Sequence, residues 1–374
     1  MSRMLCAPGR YIQGAGAIKE IGGQAAQLGR SALLIGGKTA LSLCADDISA
    51  SLGEKGVACF QDCFRGISSR PEITRLAELA KLHGADLVIA LGGGAAIDAG
   101  KAVSHELKVP VIVVPTIFAT DAPCSALSVI YSESGAFESY LRLLKNPDCI
   151  LVDTTLVLHS PARFLVAGMG DALAAFWESD SCARSGMPNP LTGGGRPTQA
   201  ARALSRLCRE TLLSFGLQAK LAVESHVVTS AVESIVEANL LLSGLSSENG
   251  GHAGAHSIHN GLTMLEATRT KLHGEKVAFG VLAQLVLEER PFTDISEVLE
   301  FCSSVGLPTC LADIGLQNPS RDDIRSAAEA ATAPGETIHA TWFPVTADMV
   351  EAAIWDADVL GAAFAKTKSS PNTR

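Results

Sequence analysis

Four near-continuous apolar runs in the first 154 residues constrain the fold more than any other feature of the chain. They are "SALLIGG" (31–37), "ADLVIALGGG" (85–94), "VPVIVVPT" (109–116) and "CILVDT" (149–154). Strands this rich in Val, Ile and Leu are buried on both faces. Between them, "DDISASLGEKG" and "EITRLAELAKLHG" carry apolar residues at helical spacing. Strands alternating with helices predict a parallel sheet covered on both sides, with ligands beyond the carboxyl ends of its strands.

The pattern changes near residue 160. "SPARFLVAGMGDALAAFWESDSCA" opens on a Ser-Pro helix start, and the rest of the chain is almost entirely helical in period. "QAARALSRLCRETLLSFG", "SHVVTSAVESIVEANLLLSG", "HGEKVAFGVLAQLVLEE" and "ADMVEAAIWDADVLGAAFAK" all read as helices. "SGMPNPLTGGGRPT" (185–198) reads as a loop, and "KTKSSPNTR" as a polar tail. The expectation is an α/β N-terminal domain over 1–160 and an all-α C-terminal domain over 161–374. A cleft between two such domains is the default ligand position.

Charged residues are only 18% of the chain and hydrophobic residues 47%, which excludes a disordered chain. The net charge of −9 and the lack of a Lys/Arg-rich run give nucleic-acid binding no support. Ten scattered cysteines without a C-x-x-C pair predict free, mostly buried thiols in a reducing compartment. No apolar run has the length of a membrane span. The expectation is a cytoplasmic protein with no membrane and no nucleic-acid partner.

"LGGGAAIDAGKA" (91–102) follows a strand and opens a helix. Gly92, Gly93 and Gly94 allow a backbone to approach a phosphate, and the helix N-terminus offers free N–H groups. G-x-G-x-x-G is absent, so a tight turn is an equal reading. "PTIFATDAPCSALSVIYSESG" (115–135) then supplies Thr116, Thr120, Asp121, Ser125 and Ser128. Such a loop can line a cofactor, or it can be an ordinary hydroxyl-rich loop.

Four of the nine histidines, His252, His256, His259 and His273, fall within 22 residues. His252 and His256 are four apart, and His256 and His259 three apart, so one helix would present them on neighbouring faces. His273 comes from a later element. A metal would need a further ligand, and Asp171 is a carboxylate in an otherwise apolar helix. Two imidazoles and a carboxylate with one open position make a catalytic arrangement. Capping and core hydrogen bonding remain the alternative use of these histidines.

The chain resembles the glycerol dehydrogenases of the iron-containing alcohol dehydrogenase superfamily over nearly its whole length. "GRYIQGAGAI", "TDAPCSALSVIY", "SPARFLVAGMGDALAAFWE", "HSIHNGLT", "LHGEKVAFG" and "PGETIH" match in order. The resemblance implies a dehydroquinate synthase-like architecture and a homo-oligomer. It implies one zinc ion held by Asp171, His256 and His273, with His259 close by but not a ligand. His252 stands where the family usually has an apolar residue. NAD would lie along Gly92–Gly94, with Gly37, Asp98, Thr116, Ser125, Leu127 and Tyr131 around it. Asp121 would hold a hydroxyl of a small polyol substrate. Asp121, Asp171 and His256 are then the catalytic candidates, and glycerol would give dihydroxyacetone.

The chain departs from this pattern in places. The acidic residue usual after the first strand's glycine is Gly37, followed by Lys38, which makes NADP an alternative to NAD. Ala95, Ala96 and Ala119 replace residues of the usual glycine loop and "TDAP" lead. Ser246 and Ser247 stand where an aromatic is expected, and Trp342 and Phe343 enlarge a Gly-rich segment. Three other activities fit the same resemblance. A 2-oxo acid (hydroxycarboxylate) reductase is disfavoured by Asp121. A dehydroquinate synthase-like lyase has only Arg269, Lys271 and Lys276 close in sequence for its anionic groups. A catalytically silent binding protein would not bind nicotinamide.

Overall fold

A computed structural model describes residues 2–369. The strands are β1 (Tyr11–Gly14), β2 (Ser31–Gly36), β3 (Ala58–Cys63), β4 (Leu87–Gly92), β5 (Val111–Pro115), β6 (Leu127–Tyr131), β7 (Phe137–Arg142) and β8 (Cys149–Asp153). Six of them form one sheet in the order β1-β8-β5-β4-β2-β3, and every pairing in it is parallel. The four inner strands are the four apolar runs of the sequence. Leu33, Leu34, Ile35, Val88, Ile89, Val113 and Ile150 are fully buried. Burying each such side chain contributes roughly 1.5–3 kcal/mol. Cutting Ile89 back to Ala at the centre would cost about 2–5 kcal/mol.

The sheet has two strands more than the apolar runs predict, and both are edges. β3 (ACFQDC) alternates in exposure and β1 (YIQG) is half-buried throughout, so neither carries a continuous apolar run. Helices cross between strands as a parallel sheet requires. Lys38–Glu54 joins β2 to β3, Arg70–Leu82 joins β3 to β4, and Gly94–Leu107 joins β4 to β5. Arg70–Leu82 starts where Ser69 accepts a hydrogen bond from the Glu72 N–H and Pro71 fixes the first turn. The segment read as a hydroxyl-rich loop contains β6, which pairs antiparallel with β7 as a separate ribbon.

The chain divides into two compact units. One is Cys6–Ala162 with Ala222–Gly244, and holds all eight strands. The helical stretch Ala222–Gly244, which lies in the second half of the sequence, belongs to this unit. It includes a π turn at Ala238–Leu242. The other unit gathers, among the described residues, 2–5, Arg163–Leu221 and 245–369, and its regular elements are helices. Its last helix, Ala347–Ser369, runs through the start of the expected polar tail; residues 370–374 lie outside the described residues. Among the described residues, no helix is long and apolar enough to cross a membrane. The ten cysteines are free, and most are buried.

Candidate functional site

Three helices of the helical unit bring the expected ligands together. Asp171 is in the middle of Ala162–Ser185, His256 in the first turn of Gly254–Leu262, and His273 is the first residue of His273–Leu287. The first and third helices meet at glycines beside these residues. A Cβ on Gly170 would collide with the Gly274 carbonyl, and one on Gly274 with the Ala167 carbonyl. Only glycine permits that approach. Arg163 locks the same crossing with a two-pronged ion pair to Glu275, at 2.6 and 2.7 Å. As a result Asp171 Oδ1 stands 3.4 Å from His256 Nε2 and 3.2 Å from His273 Nε2. One ligand atom from each of the three lies within 4.8 Å of the others.

Glu178, seven residues after Asp171 on the same helix face, completes the cluster. Its Oε1 accepts from the N–H groups of Ala253 (2.8 Å) and His256 (3.0 Å). Its Oε2 is 2.5 Å from His256 Nδ1. One carboxylate therefore caps a helix that has no cap of its own and fixes the ring whose Nε2 faces Asp171. Gln284 assists by accepting from the Ala255 N–H at 2.8 Å.

The electrostatics of this cluster suit a cation. Burial alone would raise the Glu178 carboxyl, but His256 opposite holds it down to about 2. Burial opposes ionisation of Asp171 too, yet His273 and His256 hold it well below the usual carboxylate range. Burial would lower His256, but Glu178 and then Asp171 lift it well above the ordinary imidazole value. Two buried carboxylates thus share one protonated imidazole. A divalent ion on two neutral imidazoles and Asp171 would balance both carboxylates. The donor set fits a metal.

The other two histidines are not equivalent. His259 is buried, its ring set edge-on to His273 at 4.3 Å, with Nδ1 3.1 Å from Asn260 Oδ1. Burial and then His273 hold it well below the ordinary imidazole value. His252 precedes the helix that carries His256, so the four-residue spacing is not helical here. Its ring nonetheless stacks on His256 at 4.0 Å.

In the sheet unit, Gly37, Gly92–Gly94 and Thr116 follow the carboxyl ends of three neighbouring strands. Register pairs Gly36 with Leu91 and Gly92 with Pro115. Gly92 has φ 140°, which strains any other residue by about 1–3 kcal/mol. Gly93 precedes the helix Gly94–Leu107, whose N-terminus no side chain caps. The space beyond Gly37 is open: a Cβ there meets nothing within 4 Å. Residues 93–94 and 37 thus leave room for a phosphate-bearing ligand at a helix N-terminus.

The neighbouring loop is pinned by residues that the sequence did not single out. Lys101, with its side chain fully buried, donates to the carbonyls of Ala122 (2.8 Å), Ser125 (3.3 Å) and Leu127, and pairs with Asp98 at 3.1 Å. Burial raises the Asp98 carboxyl even so. Asn146 holds the Cys124 carbonyl, and Asn239 the Phe118 carbonyl, each at 3.0 Å. Ser125 and the half-buried Asp121 belong to this pinned loop, and Leu127 and Tyr131 are the two ends of β6. A buried lysine two turns into a helix that follows a glycine run was the available signal. Glu178 had one as well: it shares a helix face with Asp171.

Residues 8–154 match the model of the iron-containing alcohol dehydrogenase family. A glycerol dehydrogenase of Thermotoga maritima is 49% identical over 95% of this chain and 96% of its own. A glycolaldehyde reductase of Halobacterium salinarum is 45% identical over 96% of this chain and 98% of its own. The crystal structure of glycerol dehydrogenase from Schizosaccharomyces pombe has a TM-score of 0.95 at 33% identity, covering all of this chain and 95% of that one.

Proposed function

The chain belongs to the iron-containing alcohol dehydrogenase family, and from that premise we propose that it oxidises glycerol to dihydroxyacetone with a nicotinamide cofactor. The convergence of Asp171, His256 and His273 around one point is the observation that carries this reading. These three residues would hold a divalent ion, which we take to be zinc. When bound, such an ion supplies Lewis acidity that lowers the pKa of an alcohol. A bound nicotinamide would supply the hydride acceptor for the carbon that becomes the ketone, and the hydroxyl proton would pass to solvent.

The chain's own residues position and orient. Glu178 keeps the Nδ1 proton of His256 engaged, so Nε2 keeps its lone pair for the ion. Gly92–Gly94 admit the cofactor's phosphates at the start of Gly94–Leu107. Asp98, Thr116, Ser125, Leu127 and Tyr131 surround the rest of the cofactor, and Lys101 keeps the loop before β6 in place. Asp121 accepts a hydrogen bond from a substrate hydroxyl. The likeness to a glycolaldehyde reductase supports a substrate class of small molecules with adjacent oxygens. The protein acts as a cytoplasmic homo-oligomer, a reading supported by its free thiols and by the exposed Leu207, Leu217 and Leu221 of one helix.

The decisive experiment is nicotinamide reduction by zinc-loaded protein with glycerol, NAD and NADP side by side. A rate that a chelator abolishes is expected; no rate with either cofactor overturns the reading. The exposed Lys38 beside Gly37 favours NADP turnover, and Gly37→Asp should shift the ratio toward NAD by about tenfold, or ~1.4 kcal/mol. An unchanged ratio would remove Gly37 from the cofactor site.

A further inference from the structure

We propose that the π turn at Ala238–Leu242 sets the position of Asp121, with Asn239 as a positioning residue and Gly244 as the point of close approach. This rests on the reading of Asp121 as the acceptor for a substrate hydroxyl, and adds residues which that reading does not use. All of them belong to the sheet unit.

Asn239 is buried, and its Nδ2 donates to the Phe118 carbonyl at 3.0 Å. Five residues on, the same helix comes so close to the same loop that only glycine fits. A Cβ on Gly244 would stand 2.4 Å from the Cys124 Cβ and 3.3 Å from the Asp121 carbonyl oxygen. That oxygen accepts from the Cys124 N–H at 3.0 Å, closing the turn that Asp121 opens. The helix thus meets the loop on both sides of Asp121, at Phe118 and at Cys124.

A regular α-helix could not make both contacts. Residues five apart on it point about 140° away from each other. In a π turn the hydrogen bond spans five residues instead of four, so residues five apart return to nearly the same face. Here the Ser243 N–H donates to the Ala238 carbonyl, five residues back. The extra residue in the turn therefore aligns Asn239 with Gly244. Lys101 and Asn146 hold the loop from Ala122 onward, and Asn239 supplies the hold before Asp121. A carboxylate that must meet a substrate hydroxyl tolerates little drift: about 1 Å of misplacement costs on the order of 100-fold in rate.

The test is a double-mutant cycle in zinc-loaded protein, reading kcat/KM for glycerol. Asp121→Ala, Asn239→Leu and Gly244→Ala are made singly, and the last two also in the Asp121→Ala background. Asn239→Leu and Gly244→Ala should each lower kcat/KM by about 10–100-fold when Asp121 is present, and by less than about twofold once it is gone. A merely structural role would give equal losses in both backgrounds. That result, or no loss from either variant, overturns the proposal. A cooperative melting transition reports that a variant is folded; should Asn239→Leu lack one, Gly244→Ala decides. Wild-type turnover by Asp121→Ala would overturn the reading of Asp121, and no turnover by wild type the activity itself, so the failures are told apart.

Discussion

The ligand cluster of the helical unit and the glycine turn of the sheet unit are built from opposite materials. The cluster consists of side chains: two carboxylates and three imidazoles, each aimed by a hydrogen bond, a ring contact or a helix crossing. The turn consists of backbone, with a left-handed glycine, an uncapped helix start and open space beyond Gly37. In the first, function depends on which atoms are present. In the second, it depends on which atoms are missing. Substitutions should therefore damage the cluster by removing groups, and the turn by adding them.

The largest effect should come from Asp171→Ala, which removes the only carboxylate of the proposed ligand set Asp171, His256 and His273. Metal uptake and turnover should both fall by more than the roughly 10–100-fold that loss of an orienting partner costs. Metal content after dialysis, measured beside kcat, checks this; full metal content with low activity would move Asp171 out of the ligand set. Glu178→Gln should come next, with metal affinity lowered about 10–100-fold, because the neutral amide no longer balances the charge of the ion and is a weaker acceptor for the Nδ1 proton that orients His256. An affinity equal to wild type would reduce Glu178 to a helix cap.

Gly93→Val tests the other material. Gly93 is extended and its Cβ would meet Ile117 at an ordinary 3.6 Å, so the fold accepts the change. NADH binding should weaken by about tenfold, or ~1.4 kcal/mol, while metal affinity stays at the wild-type value. A fall in both would show that the two regions are not independent.

The smallest effect is a pH slope confined to the cluster. The pKa of His256 is raised in the metal-free protein, so it carries a proton at neutral pH that an incoming ion must displace. Metal affinity should therefore keep rising with pH above the ordinary imidazole range near 6.5, and level off only past the raised pKa of His256. The same sign governs the metal-free fold. The His256 contribution to stability is complete below the unfolded value near 6.5 and is lost as pH rises through the folded one. Calorimetric titrations at several pH values check the slope; affinity that levels off below pH 6.5 would contradict it.

How far each region could be read from the chain follows from the same contrast. β2, β4, β5 and β8 were legible because burial on both faces leaves almost uninterrupted apolar letters. β1 and β3 were not, because an edge strand keeps polar letters such as Gln13, Gln61 and Asp62. β6 hid in a segment whose serines looked like a loop, although Leu127, Val129 and Tyr131 alternate with Ser128 and Ile130. Asp171 stood out as a carboxylate among small apolar residues. Glu178 did not, because "WESDS" around it looks like a solvated helix end, yet its side chain is fully buried. Helical period also says nothing about a helix's partner, so Ala222–Gly244 gave no sign that it packs with the sheet unit.

The double duty of Glu178 has a consequence for how the protein can be observed. The backbone amides of Ala253 and His256 end on the same carboxylate that steadies a ligand ring. Deuterium uptake at those two amides should slow when an ion binds and quicken when it is stripped, because binding stabilises the closed state they belong to. Occupancy can thus be followed from the main chain, in a resting protein, without alcohol, nicotinamide or a coloured metal.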